Sequence, residues 1–301
     1  MNPTVARARH GHPGLFWFAV VMAALTVVTA VLAVVDQRVV LGEPVWFKPL
    51  RFAVSFTLYA GTLAWMLARL PGRGMRATGW VLVVTSAIEM AIIVGQAARG
   101  TRSHFNYEDM FSTRLLGIMA ATIVVLYLAT IAVALRFLRE RRTGPDATAT
   151  AVRLGLVVGV AGLTVGVVMA ALGAHAVGVP DGGPGLPFTG WSTVGGDLRI
   201  GHFLGMHALQ LLPLLAAGLA GTPRLDERGR ADVVRVAAAG YGGLVLLVTW
   251  QALRAQPLLA PDALTLAALA VVVAGTGAAL GAVLRAAARR TSRRPAVPVA
   301  A

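Results

Sequence analysis

Apolar residues run along this chain in long blocks, separated by short segments where Gly, Pro and charged residues gather. Eight blocks, at 15–35, 49–68, 80–97, 113–135, 154–177, 198–219, 233–253 and 263–284, are each long enough to cross ~30 Å of hydrocarbon as a helix. The pattern predicts an all-α fold: a polytopic transmembrane bundle of about eight spans, with boundaries good to about three residues. One membrane domain would occupy 15–284, between an N-terminal tail at 1–14 and a basic tail at 285–301. The first block follows Arg7 and Arg9 and offers Val31, Leu32 and Ala33 as a signal-peptidase site. It is longer than the ~7–15 residues of a signal h-region, so an uncleaved first span is expected.

Polar residues interrupt the blocks at a few places. The sixth carries Arg199, His202, His207 and Gln210 within one broad helical face, with Asp197 placed ahead of it as an N-cap. The third carries Glu89, Gln96 and Arg99 on a shared face and runs on into Arg102, Ser103, His104 and Asn106. The second carries Lys48, Arg51, Ser55, Tyr59 and Thr62 along one arc. At 1.5 Å per residue, Glu89 lies ~12 Å and His207 ~13 Å from the same membrane face, so the two are partners if their helices are neighbours.

Composition agrees with the pattern. The chain is 57% hydrophobic, has a mean hydropathy of +0.73 and is only 13% charged, against about 25% in soluble domains. The net charge of +14 does not point to nucleic acid, because the basic residues sit between apolar blocks and form no basic face. They report topology: the N-terminus, the loops around Arg73, Arg141 and Arg228, and the C-terminal tail hold 19 of 27 basic residues but only 5 of 13 acids. The bias predicts cytoplasmic termini in a multi-pass protein of a bacterial inner or plasma membrane. The basic tail would then face anionic lipid.

Cysteine is absent, which excludes disulfides, thiolate metal sites and cysteine nucleophiles. Lys48 is the one lysine beside 26 arginines, so an ammonium at a helix mouth is either a ligand or an interfacial snorkelling group. The fifth block carries Gly155, Gly159, Gly162 and Gly166 at four-residue spacing in two pairs, a pattern for close helix packing. Gly275, Gly277 and Gly281 read the same way. The Gly- and Pro-rich loop 178–196, with Phe188 and Trp191, is either a lid or an interfacial anchor.

Ionisable groups inside a membrane helix are expensive and usually face a cavity or a partner. The expected site therefore opens on the extracytoplasmic side, with Glu89, His202 and His207 as acid–base groups or as ligands of zinc, iron or haem. Lys48, Arg51, Gln96, Arg99, Arg199 and Gln210 would bind substrate, the cations holding an anionic group of a small or lipid-soluble molecule. His175 could join them, whereas Arg102 and His104 read as solvated loop and His10 and His12 as tail. No His-Glu-x-x-His, Gly-x-Ser-x-Gly or Cys-x-x-Cys-His motif occurs. A small-solute transporter and an accessory or sensory subunit with a structural polar network are the other function classes. Charged groups cluster in the outer half of the helices, which weighs against a transport path. The stretches 46–51, 96–106 and 195–210 resemble those of bacterial multi-spanning integral membrane proteins, a likeness that implies the multi-span fold and assigns no activity to any residue.

Overall fold

The computed structural model describes residues 3–70, 72–140 and 144–292. Arg141 and Arg142, and the part of the basic tail from Arg293 onward, lie outside the described residues. The elements are α1 (Pro3–Gly11), α2 (Pro13–Val35), β1 (Val39–Val40), β2 (Glu43–Pro44), α3 (Phe47–Leu67), α4 (Arg73–Ala98), α5 (Met110–Leu138), α6 (Ala147–Leu172), β3 (Ala176–Val177), β4 (Gly196–Asp197), α7 (Leu198–Ala220), α8 (Glu227–Leu253) and α9 (Ala263–Ser292). Eight of the described helices, α2 to α9, are long and apolar enough to cross a membrane. The chain is a multi-pass integral membrane protein of helical-bundle architecture.

Helix ends follow capping chemistry more than hydropathy. Asp109, Asp146, Asp197 and Asp226 each accept a main-chain N–H in the first turn of α5, α6, α7 and α8. Thus α6 and α8 begin seven and six residues ahead of their apolar blocks; α4 begins seven ahead without a side-chain cap, and α9 runs to Ser292. At its other end α6 stops at Leu172, where Gly173 turns left-handed (φ +67°), so His175 lies beyond the helix. The N-terminal stretch is ordered too. His12 is 1% exposed, accepts from Leu15 N on Nδ1 (3.1 Å) and donates from Nε2 to Arg76 O (3.0 Å). It caps α2 and ties it to α4, a role its tail position in the sequence did not suggest.

One apolar core joins α2, α3, α4 and α5, reaching α6 and α7 through Val152, Leu156 and Leu209. A second joins α6, α7 and α8 near the termini through Ala147, Ala151, Leu212, Ala216, Ala231 and Val234. Helix α9 packs on α8 and leaves most of the rest of its surface exposed. The seam between α6 and α7 is made by glycine. A Cβ at Gly162 would lie 2.5 Å from Met206 N and 2.6 Å from Gly205 Cα, and one at Gly155 would lie 2.9 Å from Ala208 O. The spacing that reads as packing in the sequence is backbone-to-backbone contact in the fold.

Loops 36–46, 99–109, 173–197 and 254–262 gather on the face opposite the termini. Two short antiparallel ribbons stiffen this loop face, β1 with β2 and β3 with β4. In the first, Leu41 and Gly42 both have positive φ (51° and 78°), as a type I′ turn requires.

Candidate functional site

Helix α3 enters the bundle from the loop face, and its first turn is clamped. Trp46 Nε1 donates to Asp36 Oδ2 (2.7 Å), which also pairs with Arg38 (2.6 Å), and Arg38 reaches Ala98 O at the end of α4 (2.9 Å). Hydrogen bonds from Arg38 and Trp46 hold the Asp36 carboxyl well below the usual carboxylate range. Lys48 follows directly. Among the described residues its ammonium makes no hydrogen bond or ion pair.

Glu89, on the α4 face turned to this cluster, is 2% exposed. Its Oε2 is 3.4 Å from Thr122 Oγ1 on α5 and its Oε1 is 3.6 Å from His104 Nε2. His104 reaches it because α4 ends in a Schellman turn: Gly100 (φ +74°) donates to Ala97 O and Thr101 to Gln96 O. The chain then folds back over the helix end. On the other side of its ring, His104 Nδ1 is 3.0 Å from Ser103 Oγ, and Phe52 of α3 lies against the ring at 5.8 Å between centroids.

The loop 173–197 roofs this cluster and is latched by two arginines. Arg51 of α3 pairs with Glu43 and donates to Thr189 O. Arg199 of α7 is bidentate on Asp197 (Nη2 to Oδ2 2.7 Å, Nε to Oδ1 3.0 Å) and donates to Gly190 O (2.5 Å). Asp197 caps α7 as its position predicts, and it also accepts from Ser192 N (2.9 Å) with no side-chain exposure. His175 Nδ1 is 3.4 Å from Asp181 and 4.0 Å from Asp197. Phe188 stacks on Phe47 at 6.1 Å and is 79% exposed.

Other expected site residues are engaged elsewhere. Gln96 and Arg99 bind each other (2.6 Å) and Ser112, and Arg99 pairs with Asp109 at 3.6 Å, stitching α4 to the start of α5. His202 donates from Nδ1 to Gly162 O (2.8 Å), lying against α6 where a Cβ on Gly166 would be 2.8 Å from its Cε1. His207 Nδ1 is 3.3 Å from Gln210 Oε1 on its own helix. The expected pairing of Glu89 with His207 is therefore not made: α4 packs on α2, α3 and α5, while α7 packs on α6, α8 and α3. Nor do Glu89, His202 and His207 form a ligand set. No group of three His, Cys, Asp or Glu side chains that could hold a metal ion occurs among the described residues. Five positions on a helix turn the two histidines about 140° apart, which sends them to different neighbours.

The convergent groups are thus Lys48, Glu89, Ser103 and His104, beneath a roof carrying His175. The sequence marks Glu89 as a charge in an apolar block and Lys48 as one at the mouth of a block, whereas His104 reads as loop. Its only local signal is Gly100, the residue able to turn the chain back over α4. Two clefts lie away from the cluster, one of ≈ 210 Å³ near the termini lined by Arg69, Phe137 and Arg153, and an open groove of ≈ 390 Å³ between α8 and α9.

Burial holds His104 well below 6.5, reinforced by Lys48, His175 and His202. Burial also lowers His175, with Arg199 and Lys48 adding to it and Asp181 and Asp197 opposing. An unfolded chain binds protons at both sites below 6.5 while the folded chain does not. The folded state therefore loses stability as pH falls below that value and is unaffected by these groups above it. The melting temperature in detergent should be level from about pH 8 to 7 and fall between about 6.5 and 5, less steeply in His104→Gln. A level profile through the lower window would show that neither ring is held neutral. No family model, curated protein or solved structure matches the chain.

Proposed function

We propose that this is a membrane-embedded enzyme of a bacterial inner or plasma membrane, with both termini cytoplasmic. Its acid–base site lies under the loop face on the extracytoplasmic side. The substrate is a lipid-soluble molecule bearing an anionic group. One observation carries this reading: among the described residues the Lys48 ammonium has neither a hydrogen-bond nor an ion-pair partner, while Glu89 is 2% exposed and backed by His104 at 3.6 Å. The neighbouring arginines Arg38, Arg51, Arg99, Arg102, Arg199 and Arg254 are each paired with an acid. Lys48 is half-buried, and a ligand anion between it and the roof would give its ammonium the partner that the protein does not supply. Glu89 and His104 would then exchange protons with the part of the ligand beside them.

The hydroxyls beyond the cluster support an enzyme over a transporter, since they are already hydrogen-bonded to one another or to main chain: Tyr59 to Thr130 (2.5 Å), Tyr127 to Thr164 (2.9 Å) and Tyr241 to Leu204 O (2.5 Å).

A chain with one lysine allows a direct test. In nanodiscs, a water-soluble amine-acylating reagent should modify Lys48, read by peptide mass spectrometry, and dodecyl phosphate should slow the reaction about 10-fold while dodecanol does not. Equal rates with the two amphiphiles would overturn the anion reading. A C-terminal reporter active only outside the cytoplasm would overturn the orientation.

A further inference from the structure

Ser103, His104 and Glu89 form a series that the acid–base reading leaves unexplained. Hydroxyl and imidazole are in hydrogen-bond contact (3.0 Å), and the other ring nitrogen faces a buried carboxylate at 3.6 Å. With Nε2–H turned to Glu89, Nδ1 carries the lone pair that faces the Ser103 O–H. A nucleophile, a base and a group that orients the base make up the recognised pattern for an activated hydroxyl, and the contacts are often looser before substrate binds.

The surrounding loop adds two features. Phe105, the next residue, has φ +53°, positive as at Leu41, Phe188 and Ala255 in the other loops of this face, and it turns the chain directly after His104. The main-chain N–H groups of Ser103, His104 and Phe105 donate to no described residue. Unpaired main-chain donors next to a hydroxyl are the groups an oxyanion would require. The Lys48 charge acts on the same ring.

We propose that Ser103 is a catalytic nucleophile for the carboxylic ester of an amphiphile, with His104 as its general base and Glu89 as a positioning residue. This rests on the acid–base reading and names its reaction. Ser103 Oγ bonds to the ester carbonyl carbon as its proton passes to His104 Nδ1, and the oxyanion is received by the free N–H groups. The bond from carbon to the alcohol oxygen then breaks, and the alcohol leaves with the proton from His104. Water attacks the acyl-Ser103 ester, its proton going to His104. The carbon–Oγ bond breaks, the acid departs and Ser103 regains its proton. His104 is held neutral by burial, as a base must be at neutral pH. Ser103 is only 3% exposed, whereas the His104 side chain is 29% exposed, so substrate approaches along the His104 edge.

Full-length protein in nanodiscs, treated with a long-chain alkyl fluorophosphonate, should carry the adduct on Ser103. In His104→Ala labelling should slow about 100-fold, and in Glu89→Gln about 10-fold with a changed pH profile. An adduct on another serine only, or labelling of Ser103 as fast without His104, would overturn the proposal. If Ser103→Ala fails to fold, Ser103→Cys still decides it, because the natural chain has no cysteine. Its thiol should react with iodoacetamide at about pH 6 at least 10-fold faster than in the Ser103→Cys, His104→Ala double variant. Equal rates would mean that His104 does not activate this position. Phosphate protection of Lys48 is independent of these readouts: protection without Ser103 activation would sink this inference alone, and loss of both would sink the acid–base reading as well.

Discussion

Gly162→Ala should lower the melting temperature of the detergent-solubilised protein by roughly 6–12 °C, the shift expected for about 3 kcal/mol in a chain of this size. The added methyl would fall 2.5–2.6 Å from the backbone of Gly205 and Met206. Backbone cannot rotate aside as a side-chain end can, so α6 and α7 would have to separate, loosening Gly155 against Ala208 and Gly159 against Leu209 together. It would also shift the Gly162 carbonyl that His202 uses. Gly117→Ala is the matched control, since nothing lies within 4 Å of the corresponding methyl, and its melting temperature should hardly change. Equal melting of the two variants, followed by tryptophan fluorescence, would contradict the close seam.

Asp197→Ala is expected to be more damaging, destabilising by about 3–5 kcal/mol, because it leaves a partly buried guanidinium without its anion. The lost carboxylate receives Arg199 through two nitrogens, caps α7 through Arg199 N and holds Ser192 N. Removing the arginine as well should be less harmful than the sum of the single changes, since the orphaned charge goes with it. Limited proteolysis gives a second readout: the 173–197 roof should become cleavable in Asp197→Ala and resist in the parent. Additive losses in the double variant would show that the pair is not coupled.

The helices were legible because lipid leaves a spanning backbone few options, so each span must be an apolar run. The cap at Asp197 and the packing role of the α6 glycines were legible for similarly local reasons. What sequence could not supply was the partner of each polar group. Arg51 and Arg199 look like ligand-binding cations until Thr189 and Gly190 are seen to take their donors, the first from a loop 138 residues away and the second from the segment just ahead of α7. His202 and His207 share a broad helical face, but periodicity does not reveal that one is captured by a carbonyl of α6 and the other by Gln210. His104 was hidden for the opposite reason, because a loop histidine reads as solvated unless the turn that buries it is recognised.

The two latches on the roof also set an order of assembly. Arg51 lies on the second spanning helix and Arg199 on the sixth, and both hold main-chain carbonyls of adjacent residues, Thr189 and Gly190. A chain emerging from the ribosome inserts α3 long before the roof is made, and the roof is made before α7 can fasten it. Lys48 and Glu89 therefore pass through a stage in which they are in the bilayer but uncovered. Docking of α7 onto α6 adds the second latch, so chains stopped after α6 should hold the roof through Arg51 alone and expose the lysine more than the full chain does.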